Sequence, residues 1–309
     1  MVTEKEIREA AAGLEGIAQR TSLRYVEALG AHLKLENEQP IGAFKIRGAY
    51  NAIRKLPDTA RKRGVITFSS GNHGQAVAYA AKQFGVRAVI VMPETAPAVK
   101  VEGVKRWGGE VVLAGRTSED RRITAEEMAK KDGLAVVPPF DHPDIVAGQA
   151  TVALEIVEQL PEVETVLVPV GGGGLISGVV TGLAAAGSRA KVWGVEPAGA
   201  PKLKRSLEAG SLVRLEKTGS IADGLITLNV GAIPFAELEH HKARLRGVVL
   251  VEDDSIRDAL QFLWRTCRLA VEPSGAATTA ALLSGAVRPS GVTVLVVSGG
   301  NVDRALLED

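Results

Sequence analysis

The sequence predicts an α/β protein with two open, mostly parallel sheets and helices on both faces of each sheet. Short runs of apolar, β-branched residues alternate with longer helical patterns along the whole chain of 309 residues. This alternation is typical of parallel sheets whose strands are joined by helices. The runs are almost continuously apolar, as strands buried on both faces are.

Eight strands are predicted, in two groups along the chain. The first group spans residues 65–68, 88–92, 110–114 and 135–137, and the second spans residues 165–170, 191–196, 247–251 and 293–298. Between the groups lies FDHPDIVAG, residues 140–148, a polar and proline-bearing segment of the kind found at domain boundaries. We therefore predict a large domain formed by residues 1–61 and 143–309 and a small domain formed by residues 62–142.

Composition and charge exclude several classes of protein. The chain has 37 basic and 36 acidic residues, a net charge of +1, and 4% aromatic residues, which disfavours nucleic-acid binding. The single cysteine, Cys267, excludes an intrachain disulfide and fits a reducing compartment. The N-terminus lacks a signal-peptide core, and no apolar run reaches the roughly 18 residues that span a bilayer. We expect a cytoplasmic protein without a nucleic-acid or membrane partner.

The loops that follow predicted strands are where a ligand is expected, because open α/β sheets bind ligands beyond the carboxyl ends of their strands. Four successive glycines, Gly171 to Gly174, follow one strand and precede a helix. Free amides at a helix N-terminus bind phosphate, although the same glycines are compatible with a flexible turn. No register gives G-x-G-x-x-G, and no lysine follows as in a Walker A loop. A cofactor phosphate therefore fits better than NAD or ATP.

Two further loops carry polar groups. SSGNHGQA, residues 69–76, follows the first predicted strand and opens a helix, and GGN, residues 299–301, follows the last strand. The hydroxyls and amides of SSGNHGQA indicate a loop that binds a carboxylate, with a plain helix cap as the alternative. His73 taken alone is assigned no chemical role.

Lys45 lies in IGAFKIRGAY, residues 41–50, an apolar and glycine-flanked setting that is unusual for a lysine. An apolar setting lowers the pKa of a lysine amine and makes it a better nucleophile and base. Pyridoxal phosphate needs an amine for a Schiff base, donors for its phosphate and polar partners for its ring. The amine, the glycine loop and the polar loops together predict pyridoxal 5'-phosphate as the cofactor.

The chain resembles the threonine/serine dehydratase and serine racemase family, which are pyridoxal-phosphate enzymes with the tryptophan-synthase-β-like fold, PLP fold type II. The resemblance covers nearly the whole chain and rests on motifs that occur in order, GAFKIRGAYN, SSGNHGQAVAYAAKQFG, IVAGQAT, GGGGLISG, SIADGL, VEPSGA and SGGNVD. It implies that the large domain binds the cofactor, that the small domain closes over the substrate, and that the protein is a homodimer.

The resemblance implies roles for residues around the cofactor ring. Lys45 corresponds to the lysine that forms the Schiff base, and Phe44 and Gly224 correspond to the residues on the two faces of the pyridine ring. Asn72 corresponds to the amide that bonds the 3'-oxygen, and Ser298 corresponds to the hydroxyl that meets the ring nitrogen.

Further roles follow for the phosphate and the substrate. The glycines Gly171, Gly172, Gly173 and Gly174 correspond to the phosphate loop of the family. Ser69, Asn72 and His73 correspond to the loop that holds the substrate carboxylate. Ser70 corresponds to the serine on the face opposite the lysine, which is the second acid/base of the racemases.

The sequence departs from the family at two places that matter for the site. Ala43 replaces the serine that usually precedes the phenylalanine. Some members bind a divalent cation through two acidic residues, and here Glu196 is present but Lys202 stands at the second position. A lysine disfavours a cation at this place, so no metal is predicted.

The resemblance implies a β-elimination in which Lys45, as a neutral amine, removes the Cα proton of a hydroxyamino acid. The expected substrate is L-threonine, which gives 2-oxobutanoate and ammonia, and L-serine would give pyruvate. An amino acid racemase or a hydroxyaspartate dehydratase of the same family is an alternative, since dehydratases also carry the serine at Ser70. A nucleotide-dependent oxidoreductase is a remote alternative that the glycine spacing disfavours.

Overall fold

The computed structural model describes residues 1–69, 71–96, 98–115, 118–303 and 307. Within these residues the strands are β1 Leu23–Val26, β2 Ala31–Leu35, β3 Val65–Phe68, β4 Ala88–Met92, β5 Glu110–Leu113, β6 Ala135–Val136, β7 Thr165–Pro169, β8 Lys191–Pro197, β9 Leu245–Val251 and β10 Thr293–Val297. The α-helices are α1 Glu4–Gly13, α2 Lys45–Arg54, α3 Asp58–Arg63, α4 Asn72–Gln83, α5 Ala98–Arg106, α6 Ser118–Asp132, α7 Pro143–Gln159, α8 Gly174–Ala185, α9 Lys202–Ala209, α10 Ala232–His240, α11 Asp253–Arg265 and α12 Pro273–Leu283.

The strands form two separate sheets. The larger sheet has six strands in the order β1-β2-β10-β7-β8-β9, in which β1 and β2 are antiparallel and the other neighbouring pairs are parallel. The smaller sheet has four parallel strands in the order β5-β4-β3-β6. The predicted fold class of two open, mostly parallel sheets is confirmed. No helix in the described part of the chain is both long and apolar enough to span a membrane.

All eight predicted strands are present, with ends that differ from the prediction by at most two residues. The four-stranded sheet uses the strands between residues 65 and 136, and the six-stranded sheet uses strands on either side of that range. The domain boundaries at residues 62 and 142 stay a prediction.

The strands β1 and β2 are absent from the prediction, and the charge of Lys34 explains why β2 is hard to recognise. Lys34 lies inside β2 and is fully buried. Its Nζ donates to the Glu155 carboxylate at 2.6 Å and to the carbonyl oxygen of Thr21 at 2.9 Å. A buried lysine persists when its charge is paired in this way, but it interrupts the apolar pattern by which a buried strand is recognised.

Helix α2 begins at Lys45, and its position is fixed by close contact with α7. A Cβ atom added to Gly148 of α7 would lie 2.5 Å from the carbonyl oxygen of Arg47 and 2.6 Å from the Cα of Gly48. Only glycine permits backbones to approach this closely. The opposite face of α2 packs with α4 of the smaller sheet in one apolar core. Helix α2 therefore packs between α7 and α4 at the position of Lys45.

A buried ion-pair network holds the same end of α2. Arg47 is buried, and its Nε donates to Glu36 Oε2 at 2.8 Å while its Nη1 donates to Glu155 Oε1 at 2.6 Å. Glu36 follows β2, and Glu155 belongs to α7. Bidentate arginine–carboxylate pairs are geometrically specific, so the network fixes the rotation of α2 two residues after Lys45.

Candidate active site

The candidate active site lies where the carboxyl ends of strands from both sheets meet. Asn72 opens α4 after β3 of the smaller sheet, and Asn301 follows β10 of the larger sheet. Asn301 Nδ2 donates to Asn72 Oδ1 at 2.8 Å and to the carbonyl oxygen of Ile41 at 2.8 Å. Both predicted polar loops therefore meet at the segment that precedes Lys45.

Backbone contacts with the loop after β10 fix the segment before Lys45. The Phe44 amide donates to the Ser298 carbonyl at 3.1 Å, and the Gly300 amide donates to the Gly42 carbonyl at 2.9 Å. Gly42 has a φ of 72°, in the left-handed region that favours glycine, and a Cβ there would lie 2.6 Å from Asn301 Oδ1. The lysine thus enters its helix from a loop with a fixed backbone conformation.

The Lys45 amine is in an environment that favours its neutral form. Its Nζ donates to the Pro139 carbonyl at 2.8 Å and lies 5.3 Å from the centroid of the Phe44 ring. Burial lowers the pKa of Lys45 to about 8, although the carboxylate of Glu272 opposes this effect. A lysine with this pKa has a substantial neutral fraction near pH 7.5 and can act as a nucleophile or a base.

Glu272 is a site residue that the sequence prediction missed. It is buried, is the N-cap residue of α12 without a side-chain capping bond, and accepts a hydrogen bond from Asn72 Nδ2 at 2.6 Å. Burial raises the pKa of Glu272 to about 7, and the neighbouring carboxylate of Asp223 acts in the same direction. The available sequence signal was the motif VEPSGA, in which Glu272 directly precedes Pro273 at the start of α12.

The glycine loop is packed too closely for side chains. A Cβ on Gly171 would lie 2.7 Å from the Gly224 carbonyl oxygen, and a Cβ on Gly172 would enter the ring of Phe140. Gly173 has a φ of 91° and caps α8. Contact or conformation therefore requires glycine at Gly171, Gly172 and Gly173, and the flexible-turn alternative does not account for them.

The amides of the glycine loop are free to bind an anion. In the described part of the chain, no protein acceptor is bonded to the amides of Gly171, Gly172 or Gly173. The loop leads into α8, a helix of 12 residues whose N-terminus carries partial positive charge. Free amides at a helix N-terminus are groups that bind phosphate, so this loop is a candidate phosphate cradle.

Pro139 and Phe140 connect the lysine to the glycine loop. The Pro139 carbonyl accepts the Lys45 hydrogen bond, and the Phe140 ring lies against Gly172. Gly224 contacts Gly171 from the other side, and its amide donates to Ser274 Oγ at 2.9 Å. The structure thus brings the predicted lysine, phosphate loop and Gly224 turn into one continuous set of contacts.

Besides Asn72, His73 and Ser69 of SSGNHGQA have defined structural contacts. His73 is buried and its Nε2 lies 3.0 Å from the Val137 carbonyl, so that nitrogen carries the proton. Burial, with a contribution from Lys45, lowers the pKa of His73 to about 3, so the imidazole is neutral. Ser69 Oγ accepts from the Gly71 amide at 3.1 Å. Ser70 lies outside the described residues.

The remaining ring-contact residues predicted from the sequence lie beside Lys45. Ser298 is buried and bonds the Phe44 amide through its carbonyl, and Phe44 is half-buried at the N-cap of α2. Lys45, Phe44, Asn72 and Ser298 are therefore linked through one set of backbone and side-chain bonds. These groups fit pyridoxal phosphate, because they combine a free amine of lowered pKa with an anion cradle.

A side chain fills the place where, by the family resemblance, some members bind a cation. Lys202 Nζ lies 3.0 Å from Glu196 Oε1, and both residues are fully buried. Among the residues that the structure describes, no group of three His, Cys, Asp or Glu side chains is arranged to hold a metal ion.

Comparison with known proteins gives consistent results. The pyridoxal-phosphate dependent enzyme family matches residues 14–299. A Thermotoga maritima protein named L-threonine ammonia-lyase is 39% identical over 100% of this chain and 78% of that protein. A Saccharomyces cerevisiae protein named L-threo-3-hydroxyaspartate ammonia-lyase is 39% identical over 92% of this chain and 87% of that protein. The structure of maize serine racemase has a TM-score of 0.94 and 37% identity, and covers 99% of this chain and 96% of that one.

Proposed function

Because the chain belongs to the pyridoxal-phosphate dependent enzyme family, we propose that it is a lyase that deaminates L-threonine to 2-oxobutanoate and ammonia. L-Serine, which would give pyruvate, is the second proposed substrate. The similarity to an L-threonine ammonia-lyase over the whole chain supports the reaction class. The observation that carries the proposal is the Lys45 amine, which has a pKa of about 8 and is held at the start of α2.

The residues of the site have distinct proposed roles around the cofactor. When bound, pyridoxal phosphate supplies an electron-withdrawing ring that stabilises negative charge at the substrate Cα. Lys45 Nζ would hold the cofactor and, as a neutral amine, would take the Cα proton of the substrate. The amides of Gly171 to Gly174 would hold the phosphate. Phe44 and Gly224 would lie against the ring, and Ser298 would be the partner of its nitrogen.

Substrate recognition is proposed for the loop that opens α4. Ser69, Asn72 and His73 would bind the substrate carboxylate, with Asn72 oriented by Asn301 and Glu272. His73 contributes a neutral imidazole, since burial keeps its pKa far below neutral. Loss of the Cα proton and the β-hydroxyl removes one water from threonine. Hydrolysis of the released aminocrotonate returns that water and gives 2-oxobutanoate and ammonia.

The central experiment uses the Lys45→Ala variant. The wild-type protein should show a visible absorption band with pyridoxal phosphate that borohydride abolishes, and it should release 2-oxobutanoate from L-threonine. Lys45→Ala should lose both the borohydride-sensitive band and the 2-oxo acid. Persistence of the band in the variant would refute the assignment of Lys45.

The alternatives within the family are distinguished by a panel of amino acids. L-Threonine, L-serine and L-threo-3-hydroxyaspartate are each incubated with the enzyme. The 2-oxo acids released are measured, and so is any D-serine formed from L-serine. Threonine should give the highest rate of 2-oxo acid release. Faster release from hydroxyaspartate, or D-serine as the main product, would replace the proposed substrate by the corresponding family alternative.

Three further expectations accompany this function. We propose that residues 62–142 move as a small domain over the substrate; the ion pair between Lys100 of α5 and Asp223, beside Gly224, is a contact that such closure would use. We also propose a homodimer located in the cytoplasm. Light scattering on the purified protein tests the homodimer, and cell fractionation tests the cytoplasmic location.

A further inference from the structure

Lys202 lies in a buried shell made entirely of oxygen atoms. Its Nζ donates to the carbonyl oxygens of Val170 and Leu225, each at 2.9 Å, and to that of Ala200 at 3.2 Å. The fourth oxygen is Glu196 Oε1 at 3.0 Å. Lys202 and Glu196 have no exposed side-chain surface. Burial lowers the pKa of Lys202, and the Glu196 carboxylate opposes this effect.

This oxygen shell requires a cation. A neutral amine has two N–H groups and a lone pair, whereas an ammonium has three N–H groups and suits a set of acceptors. Glu196 is itself held by the backbone, because its Oε1 accepts from the Leu203 amide at 2.8 Å and its Oε2 from the Lys204 amide at 2.9 Å. The carboxylate and the ammonium therefore neutralise each other inside the protein.

The four oxygens come from segments that surround the cofactor site. Val170 directly precedes the glycine loop, and Leu225 directly follows Gly224. These two segments touch, since a Cβ on Gly171 would lie 2.7 Å from the Gly224 carbonyl oxygen. One ammonium thus bonds the residue next to each of the two glycines, and it joins the phosphate loop to the turn on the ring face.

We propose that the Lys202 ammonium is an internal cation that fixes the glycine loop against the Gly224 turn, so that cofactor binding needs no free cation. Lys202 is a positioning residue, since it acts through Val170 and Leu225. The distances of 2.9–3.2 Å exceed the 2.3–2.6 Å of calcium–oxygen bonds. A single carboxylate also balances a single positive charge. The shell therefore suits a monovalent ion of ammonium size, which Lys202 supplies from its own side chain.

Removal of the ammonium should turn the shell into a site for a free monovalent cation. Lys202→Ala leaves the carboxylate and the three carbonyl oxygens around an opened space, whereas Lys202→Met fills the same space with an uncharged chain. The matched control is Lys204→Met on the same helix, because the Lys204 side chain is 40% exposed and pairs with Glu208 at the surface.

The experiment measures the affinity of each cofactor-free protein for pyridoxal phosphate by absorbance titration, together with its melting temperature. Each measurement is made in potassium chloride, in ammonium chloride and in tetramethylammonium chloride, whose cation is too large for the shell. Lys202→Ala should bind the cofactor about tenfold more weakly in tetramethylammonium, and potassium or ammonium should restore at least part of that loss. Wild type, Lys204→Met and Lys202→Met should not respond to the cation.

Three results would overturn the proposal. Wild-type affinity of Lys202→Ala in tetramethylammonium would show that the ammonium does not fix the loops. Equal weakening of Lys202→Ala and Lys202→Met with no cation response would show that Lys202 only fills space. If Lys202→Ala does not fold in tetramethylammonium, its refolding yield is compared with that in potassium, and an equal yield would likewise refute an internal cation. The readouts use no substrate, so they stand apart from the reaction proposed above.

Discussion

The contact between α2 and α7 makes Gly148→Ala a direct test of how the fold positions the lysine. The added Cβ would lie 2.5 Å from the Arg47 carbonyl oxygen, where ordinary van der Waals contact begins at 3.4 Å. The Cβ would also lie 2.6 Å from the Cα of Gly48. Both atoms are backbone, so no side chain can turn away. The two helices must separate by about 0.9 Å.

This separation should affect both stability and activity. Overpacking of a close contact destabilises a protein by about 1–3 kcal/mol, which corresponds to a fall in melting temperature of about 2–5 °C for a chain of 309 residues. Helix α2 begins at Lys45, so the shift reaches the reactive amine. A displacement of about 1 Å at a reacting group lowers kcat about 100-fold.

The assay combines thermal unfolding with the rate of 2-oxobutanoate release at saturating L-threonine. Gly219→Ala is the control, because nothing lies within 4 Å of a Cβ at Gly219 and its backbone has no positive φ. The control should behave as wild type in both measurements. If Gly148→Ala had the same melting temperature and the same kcat as the control, the close helix contact would not position Lys45 and the reasoning would be wrong.

The remaining predictions concern two charges and the cofactor loop. In the cofactor-free protein, acylation of Lys45, followed by mass spectrometry, should reach half its maximal rate near pH 8, because only the neutral amine reacts; a midpoint near pH 10 would contradict the lowered pKa. Glu272→Gln should lower that midpoint, because the Glu272 carboxylate raises the pKa of Lys45, and an unchanged midpoint would exclude this coupling. The free energy of unfolding of Glu272→Gln, relative to wild type, should rise by about 3 kcal/mol as the pH increases from 4.5 to 7, because only wild type must ionise a buried carboxyl whose pKa is raised from 4.5 to about 7. The same difference in melting temperature from wild type at pH 4 and at pH 8 would contradict this prediction. Gly172→Ala should weaken pyridoxal phosphate binding about tenfold through collision with Phe140, whereas Gly219→Ala should bind normally in the same titration.

The sequence predicted those parts of the fold that depend on local patterns. Strand β4 is uniformly buried and apolar, and β7 is uniformly buried with Thr165 as its polar residue, so their residues alone identify them. The sequence did not predict strand β2, because the charge of Lys34 is neutralised by Glu155, a residue 121 positions away. The apolar pattern carries no information about such a distant partner.

The candidate site shows the same division. Lys45 and the glycine loop are recognisable in the sequence because each depends on the types of a few adjacent residues. The importance of Glu272 arises from its hydrogen bond to Asn72, 200 positions away, and from burial that only the fold creates. Likewise, the sequence predicted that Lys202 would disfavour a metal ion at this position. It did not predict the four oxygen partners of Lys202, which come together only after folding.

The bonds between the Gly42–Phe44 segment and the loop after β10 also set the earliest time at which the site can form. The segment before Lys45 is bonded to Ser298 and Gly300, which the ribosome adds about 250 residues later. At ordinary rates of synthesis this interval is roughly 10–50 s. Until those residues are added, the backbone bonds that hold Gly42 and Phe44 beside the loop after β10 cannot form. The cofactor site is therefore completed late in synthesis, although Lys45 lies near the start of the sequence.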